Sequence, residues 1–373
     1  MEYKISMIIP VYNVEKFLRK AFESLKRQTI GFDNLQVLFA DDCSADGSWE
    51  LVQGYASAHP NVESVRLPEN TGAAGAPRNA ALELAKAKYF MCFDPDDELP
   101  DDACRLLYDA IEQTGVDFAF GYYCDTDSDG TKPREKNENY DVFEERRYNF
   151  PGDLPLFIQK SAAFWTKIYR VDLYREKKLS FPVGIPGQDM VFYMRYLFAS
   201  KSAVYIDKCV YNYNLHPGSI SFSKSKRFFL GINTCYKLCR DLFEEYGCIE
   251  QYDILTHDLL PELLNKMFVS ELTDEEIEEV FSAFAWLWNR CEAAGLPYGS
   301  DCAEIIGAVF SSDKRPAVYK SLRKIVRYEL ELVDGIKRLE KELQKRDRIL
   351  NHIAVKAVRF VFNLRVRQNR GKS

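Results

Sequence analysis

Short apolar runs separated by polar stretches fill the first third of the chain, and each run is between five and seven residues long. Continuous apolar runs of this length are typical of strands that a parallel sheet buries on both faces. We therefore predict buried parallel strands at Ile5 to Val11, Gln36 to Ala40, Val62 to Leu67, Tyr89 to Phe93 and Val116 to Phe120.

Helical patterns lie between these predicted strands. Apolar residues from Val14 to Leu25 recur at the spacing of an amphipathic crossover helix. Asp46 is placed to cap the next helix, and a third helix is predicted from about Gly75 to Lys86. Strands that alternate with helices in this way predict an α/β fold with a doubly wound sheet.

The next segments depart from this pattern. Residues 124–150 are polar and predict an exposed loop or a mobile flap. Two more predicted strands, Ala203 to Ile206 and Cys209 to Tyr213, close a first domain of residues 1–222. Residues 223–318 have apolar positions at helical spacing and predict a helical module.

Residues 319–373 predict a long helix with a basic amphipathic tail. Apolar residues from Leu322 to Leu350 fit a heptad ladder that Glu329 and Arg346 interrupt. This helix either forms a coiled coil in a homo-oligomer or packs on the helical module. Residues 352–373 contain six Lys and Arg and no acid, interleaved with apolar residues, which favours peripheral contact with an anionic membrane surface.

Length, charge and cysteine usage restrict the class of protein. A chain of 373 residues exceeds the usual size of one domain. Its net charge of -6 disfavours a chain-wide nucleic-acid-binding surface, so we expect no nucleic-acid partner. Ten cysteines without a CxxC pair, together with no visible secretory signal or membrane-spanning run, predict a cytoplasmic protein, with the tail at the inner face of the membrane.

Candidate chemistry begins with three carboxylates, Asp94, Asp96 and Asp97, which follow the strand predicted to end at Phe93. Open α/β sheets bind ligands at this edge, and crowded carboxylates there favour a divalent cation such as Mg²⁺ or Mn²⁺. The alternative is structural, because Asp residues at these positions also suit a turn or the start of the next helix.

Two further loops are predicted to open on the same edge. Asp41 and Asp42 follow the second predicted strand, and a carboxylate there can accept the imide N–H of uracil. The segment from Asn70 to Asn79 is a small-residue loop that enters a helix. Its backbone can approach a ligand closely, and Arg78 can meet a phosphate.

The order of these segments resembles the family 2 glycosyltransferases, which are inverting enzymes of GT-A fold, over approximately Ile5 to Ser221. The family's opening Pro-Val-Tyr-Asn is Pro10 to Asn13 here, and its Asp-Asp-x-Ser-x-Asp-Gly-Ser is residues 41–48. Its segment ending in Arg-Asn matches residues 70–79, and its Asp-x-Asp matches Asp94 to Asp96. Wall-teichoic-acid and bacterial capsule enzymes of this family resemble this chain in two features. The segment that corresponds to residues 70–79 ends in Pro-Arg-Asn, and a helical extension follows at the C-terminus.

The resemblance implies two sets of binding residues. For the metal, Mn²⁺ or Mg²⁺, it implies Asp96, with Asp97 beside it, and His216 from a polar loop over the diphosphate. For the nucleotide-sugar it implies residues of the matched motifs, with Asp94 at the ribose, and the lysine of a segment that resembles Trp-Asn-Lys-x-Tyr-Arg. These donor-binding residues are Pro10, Tyr12, Asn13, Asp42, Asn70, Gly72, Arg78, Asp94 and Lys167.

The family's general base is the Asp of a Glu-Asp motif, which is Gln188-Asp189 here. The resemblance therefore assigns the base to Asp189. Gln188 departs from the motif and removes a carboxylate that could tune the pKa of its neighbour. The structural alternative for Asp189 is a helix cap.

Together the resemblance implies inverting transfer from a UDP-sugar, such as a UDP-N-acetylhexosamine, to a hydroxyl of a glycan or lipid-linked glycan of the bacterial cell envelope. Two rival hypotheses come from other classes. One is a non-catalytic envelope scaffold that keeps a sugar-nucleotide pocket, which the presence of Asp189 disfavours. The other is a nucleotidyltransferase on a similar sheet, whose glycine-rich, arginine-containing N-terminal loop we do not find.

Overall fold

The structure is a computed structural model that describes residues 2–127, 135–160, 163–216 and 223–294. The chain divides into two compact units. Among the described residues, 2–260 and 283–294 belong to the first unit and 261–282 belong to the second. The predicted tail helix, with its proposed oligomer and membrane contacts, lies outside the described residues.

The described strands of the first unit form one sheet. The strands are β1 (Ile5–Val11), β2 (Leu35–Asp41), β3 (Val62–Arg66), β4 (Tyr89–Cys92), β5 (Phe118–Asp127), β6 (Glu135–Lys136), β7 (Arg147–Asn149), β8 (Lys167–Arg170) and β9 (Ser202–Leu215). Their order across the sheet is β3-β2-β1-β4-β8-β5-β9-β7, and β6 pairs with β5 at the side.

Helices connect these strands and continue beyond them. They are α1 (Glu15–Lys26), α2 (Ser48–Ala58), α3 (Gly75–Glu83), α4 (Ala103–Thr114), α5 (Leu154–Lys160), α6 (Val171–Glu176), α7 (Gln188–Ala199), α8 (Lys226–Glu245), α9 (Ile249–Phe268) and α10 (Asp274–Ala293). Asp46 accepts hydrogen bonds from the N–H groups of Ser48 and Glu15, so it serves the first turns of both α2 and α1. Across the described residues, none of the helices combines the length and apolarity needed to span a membrane.

The two faces of the sheet bury different side chains because successive residues of a strand point in opposite directions. On one face, Met7 of β1 and Met91 of β4 belong to an apolar cluster with Phe22 of α1 and Leu107 of α4. On the other face the packing is aromatic: Phe90 of β4 stacks on Tyr169 of β8 at 5.1 Å, and both approach Tyr196 of α7. Both faces are therefore covered, as a doubly wound sheet requires.

The sheet is mixed, and this corrects the expectation of parallel strands throughout. β1 pairs in parallel with β2 and β4, and β2 with β3. β8 lies between β4 and β5 and runs antiparallel to both. The apolar run predicted at Val116 to Phe120 is buried as expected, but burial alone does not report strand direction.

Two other boundary predictions are wrong. The predicted strands Ala203 to Ile206 and Cys209 to Tyr213 are one continuous strand, β9, with register shifts against β5. The segment predicted as an exposed loop contributes β6 and β7, and its Tyr140, Phe143 and Tyr148 are buried. These rings pack against one another and against aromatic residues of β5 and α5. The overall polar composition of the segment therefore did not reveal that three of its aromatic side chains are buried.

Candidate functional site

A cleft of about 870 Å³ opens where the parallel strands β1, β2 and β4 end. This volume lies within the range of sites that enclose a small ligand. Most of the residues that the sequence analysis selected are brought together here. Those that line the cleft are Pro10, Tyr12, Asp42, Asn70, Gly72, Arg78, Asp94, Asp96, Asp97 and Asp189.

Asp42 stands at the end of β2 and holds the adjacent small-residue loop. Its carboxylate accepts hydrogen bonds from the N–H of Thr71 at 3.1 Å and from the hydroxyl of Thr71 at 2.8 Å. Asp41, directly before it, is fully buried and pairs with Arg66 at 3.2 Å. Asp42 therefore faces the cleft, whereas Asp41 is buried and stabilises the loop after β2 by accepting the N–H of Ser44.

Asn13 does not point into the cleft, contrary to its predicted role in donor binding. Its backbone is left-handed, with a φ of 52°. The side-chain oxygen accepts the N–H of Ala45 at 2.8 Å, and its own N–H donates to the hydroxyl of Ser44 at 3.0 Å. Asn13 thus joins the loop after β1 to the loop after β2, while the neighbouring Tyr12 is 48% exposed at the cleft.

Arg78 and Asp94 form an ion pair at the centre of the cleft, with 2.5 Å between Nη2 and Oδ1. Arg78 is 4% exposed, and its guanidinium lies over the rings of Phe164 and Phe181. Burial opposes its charge, but the nearby carboxylate of Asp94 raises the pKa of Arg78 overall. Arg78 is therefore a fixed cation that is already partnered before any ligand enters.

Asp189 lies in the first turn of α7, two residues after Gly187, whose φ of 79° turns the chain into the helix. The segment before α7 is held against α3, because Asn79 exchanges two hydrogen bonds of 2.9 Å with the backbone of Phe181. Gly75 permits this approach, since a Cβ there would lie 2.0 Å from the carbonyl oxygen of Pro182. These contacts bring Asp189 into the same cleft as Arg78.

Burial raises the pKa of Asp189, while the charge of Arg78 lowers it and Asp94 raises it further. The pKa of Asp96 is raised for a related reason, by burial and by the neighbouring charge of Asp94. His216 partly offsets this through a contact of 2.9 Å between its Nε2 and Oδ2 of Asp96. The described lining of the cleft contains five carboxylates and two guanidinium groups, so negative charge predominates before a ligand binds.

Asp97 is engaged in a way that its predicted role as a metal ligand did not foresee. Its Oδ2 accepts the hydroxyl of Tyr211 and its Oδ1 accepts the N–H of Asn214, both at 2.8 Å. Both partners belong to β9. Asp97 therefore attaches to that strand the loop after β4, which carries Asp94, Asp96 and Asp97 and is called the acidic loop below. These two bonds anchor the loop, and because each carboxylate oxygen can accept more than one bond, the metal-ligand role of Asp97 stays a prediction.

Asp96 and His216 suit a divalent cation better. Their donor atoms converge, and the pKa of Asp96 is raised by burial and then by repulsion from Asp94, which a cation would relieve. Within the described ranges, no three His, Cys, Asp or Glu side chains are grouped to hold a metal. Mg²⁺ is nevertheless commonly held by only one or two carboxylates when substrate phosphates supply the other oxygens.

Lys167 is not brought to the cleft, which corrects its predicted role in donor binding. β8 is an interior strand, so the side chain of Lys167 enters the core and is fully buried. Its Nζ donates to the carbonyl oxygen of Ala163 at 2.6 Å and lies over the ring of Tyr193. Burial lowers the pKa of Lys167 well below that of an ordinary lysine.

An aromatic wall was missed by sequence reasoning. Trp165 stacks on Tyr213 with ring centroids 5.5 Å apart, and Tyr123 meets Trp165 edge-on at 4.8 Å. All three line the cleft. Tyr123 and Tyr213 come from β5 and β9, and only the pairing of these strands places them together. The one signal in the sequence was the segment Trp165 to Arg170, which resembles the family's Trp-Asn-Lys-x-Tyr-Arg, and from it Lys167 rather than Trp165 was predicted to bind the donor.

Comparison with known proteins identifies the family of the domain that carries this cleft. Residues 6–187 match the family model described as "Glycosyl transferase family 2". These residues form a family 2 glycosyltransferase domain. The matched range contains the cleft loops after β1, β2 and β4 and ends immediately before α7.

Curated relatives of this family 2 domain are named as glycosyltransferases. The poly(ribitol-phosphate) beta-glucosyltransferase of Bacillus spizizenii is 29% identical over 209 residues, which cover 55% of this chain and 31% of the relative. The poly(ribitol-phosphate) beta-N-acetylglucosaminyltransferase TarS of Staphylococcus aureus is 25% identical over 270 residues, covering 71% of this chain and 44% of TarS. The chain thus spans less than half the length of either relative.

A solved structure supports the fold. The crystal structure of S. aureus TarS 1-349 in complex with UDP-GlcNAc matches with a TM-score of 0.62 at 22% sequence identity. The match covers 86% of this chain and 92% of that chain. The α/β, GT-A part of the fold prediction is therefore confirmed.

Proposed function

We propose that this chain is an inverting glycosyltransferase that moves a sugar from a UDP-sugar to a hydroxyl of a bacterial cell-envelope glycan. The observation that carries the proposal is the position of Asp189, in one cleft with Arg78, Asp94, Asp96 and Asp42. A base, a buried cation and an acidic loop at the ends of parallel strands are the components that such a transfer needs.

The carboxylate of Asp189 accepts the proton of the acceptor hydroxyl as that oxygen attacks the anomeric carbon of the donor. The bond between this carbon and the diphosphate oxygen breaks on the opposite face, and UDP leaves with the bonding electrons. Attack and departure on opposite faces invert the anomeric centre. Arg78 pairs with Asp94 and, because its charge lowers the pKa of Asp189, also favours the deprotonated base.

The nucleotide occupies the side of the cleft formed by Pro10, Tyr12 and Asp42, where a carboxylate can accept a uracil N–H. The structure of TarS with UDP-GlcNAc supports UDP-N-acetylhexosamine as the first donor to test. Asp96 and His216 would hold Mn²⁺ or Mg²⁺, which would offset charge on the diphosphate. The names of the relatives support a poly(ribitol-phosphate) acceptor in the first assay.

The test is an assay of UDP release and product formation with a panel of UDP-sugars and poly(ribitol-phosphate). Asp189→Asn is expected to lower turnover by about 10²-fold or more, because the amide cannot accept the proton. The matched control is Asp109→Asn, which is half-exposed on α4 and paired with Arg105, and which should leave turnover unchanged. Full turnover by Asp189→Asn removes the base assignment, and release of pyrophosphate in place of UDP indicates a nucleotidyltransferase.

A further inference from the structure

Arg227 is an exposed cation at the rim of the cleft that the matched motifs do not include. It lies at the start of α8, beyond the range that the family model matches, and lines the cleft together with Ser223 and Gly72. Its Nη2 donates to the carbonyl oxygen of Gly72 at 3.0 Å, across 155 positions of sequence. The guanidinium thus reaches the small-residue loop from the opposite rim.

The loop opposite is shaped to admit this side chain. Gly72 has a φ of 85°, and a Cβ at this position would lie 1.7 Å from Nη2 of Arg227. Thr71, the preceding residue, is bound to Asp42 on the nucleotide side of the cleft. Arg227 therefore stands next to the segment that borders the nucleotide.

The charges of the cleft distinguish Arg227 from Arg78. Among the described lining residues these are the two guanidinium groups, and Arg78 is already paired with Asp94. In the described part of the chain, Arg227 contacts the neutral carbonyl of Gly72 and no carboxylate. A guanidinium has five N–H donors, so the contact with Gly72 leaves most of them available to an anion.

We propose that Arg227 binds the diphosphate of the nucleotide-sugar donor. This inference rests on the proposed function and adds a binding residue that lies outside the family 2 match. A diphosphate entering a cleft with five carboxylates needs cationic partners, and Lys167, which the sequence offered, is buried elsewhere. From the rim Arg227 can donate charge-assisted hydrogen bonds to phosphate oxygens, which guanidinium groups often bind with two parallel N–H groups.

The test compares binding of a nucleoside, its monophosphate and its diphosphate to the full chain by calorimetry. The base is chosen by first screening wild type against UDP, GDP, CDP, ADP and dTDP. Arg227→Gln is expected to weaken diphosphate binding by about tenfold while nucleoside binding stays unchanged. Arg227→Lys should recover part of the loss. Arg240→Gln, on the same helix but paired with Asp241, is the matched control and should bind like wild type.

Three results overturn the proposal. Equal weakening of nucleoside and diphosphate would mean that Arg227 only positions the Gly72 loop. Unchanged diphosphate binding would assign any phosphate contact of Arg227 to the acceptor. Wild type that binds no nucleoside diphosphate removes both this inference and the proposed donor, whereas binding of GDP alone removes the UDP assignment and leaves the Arg227 test intact.

Discussion

At the scale of single residues, desolvation determines which carboxylates of the cleft can accept a proton. Burial raises the pKa of Asp189, Asp96 and Asp97, and repulsion from neighbouring carboxylates raises all three further. Arg78 opposes this for Asp189. Asp189 thus combines a raised pKa with a position at the helix start that faces the cleft, which suits a base better than a structural cap does.

The pH dependence of turnover should reflect this raised pKa. Asp189 acts in its deprotonated form, so kcat should fall as pH decreases through its pKa. Because that pKa is raised, the acidic limb should lie at higher pH than it would for an exposed aspartate. The measurement is kcat against pH, at saturating donor and acceptor, through the acidic and neutral range.

Gln188 provides a control for this profile. It is buried beside Asp189 at the cleft, and its Oε1 has no hydrogen-bond partner among the described residues. Gln188→Glu adds a neighbouring carboxylate and should move the acidic limb to still higher pH, whereas Gln188→Leu should not. An acidic limb that stays in place in Gln188→Glu contradicts Asp189 as the titrating group.

At the scale of secondary-structure elements, β9 holds the acidic loop in position. The hydroxyl of Tyr211 accepts the N–H of Asp94 at 3.2 Å and donates to Asp97 at 2.8 Å, while Asn214 binds the same loop through Asp97 and the carbonyl of Asp96. β9 is the longest of the described strands and lies between β5 and β7 in the sheet. The geometry of the loop after β4 therefore depends on a strand more than a hundred residues away.

Tyr211→Phe should destabilise the protein by about 1–3 kcal/mol, because it leaves the N–H of Asp94 and a buried oxygen of Asp97 without their partner. The free energy of unfolding is measured by urea denaturation. Tyr205→Phe is the matched control on the same strand: its hydroxyl binds Asp207, whose side chain is 54% exposed, so the loss should be smaller. Equal losses in both variants would indicate that Tyr211 contributes only packing.

At the scale of the whole molecule, ligand and metal binding should be linked to folding. A ligand that binds only the native state raises the free energy of unfolding, by about 2.7 kcal/mol at a concentration of 100 times its Kd. We expect UDP to raise the unfolding temperature more with Mn²⁺ than with chelator, because the cation relieves repulsion around Asp96. Thermal unfolding of the full chain measures this difference.

Asp96→Asn should remove the Mn²⁺-dependent part of the UDP shift and leave the shift with uridine unchanged, since uridine lacks phosphate. Asp101→Asn, on the surface and paired with Arg27, is the control and should keep both shifts. An equal UDP shift with Mn²⁺ and with chelator would falsify the metal proposal while leaving donor binding supported.

The sequence alone determined the strand–helix alternation and the residue types at the strand ends. Apolar runs and helical spacing are local properties, so β1 to β4 and α1 to α3 could be predicted closely. The motifs at the strand ends follow from the same reasoning, because parallel strands share one edge. For this reason the sequence was sufficient to predict that Asp42, Arg78, Asp94 and Asp96 lie in one cleft.

The tertiary structure decided what local pattern cannot encode. β8 inserts between β4 and β5, and this buries Lys167 in the core and presents Trp165 to the cleft. Arg227 reaches Gly72 only because α8 returns to the loop after β3. Both outcomes depend on contacts between distant segments, whose pairing is fixed by the packing of the whole sheet and not by the spacing of neighbouring residues.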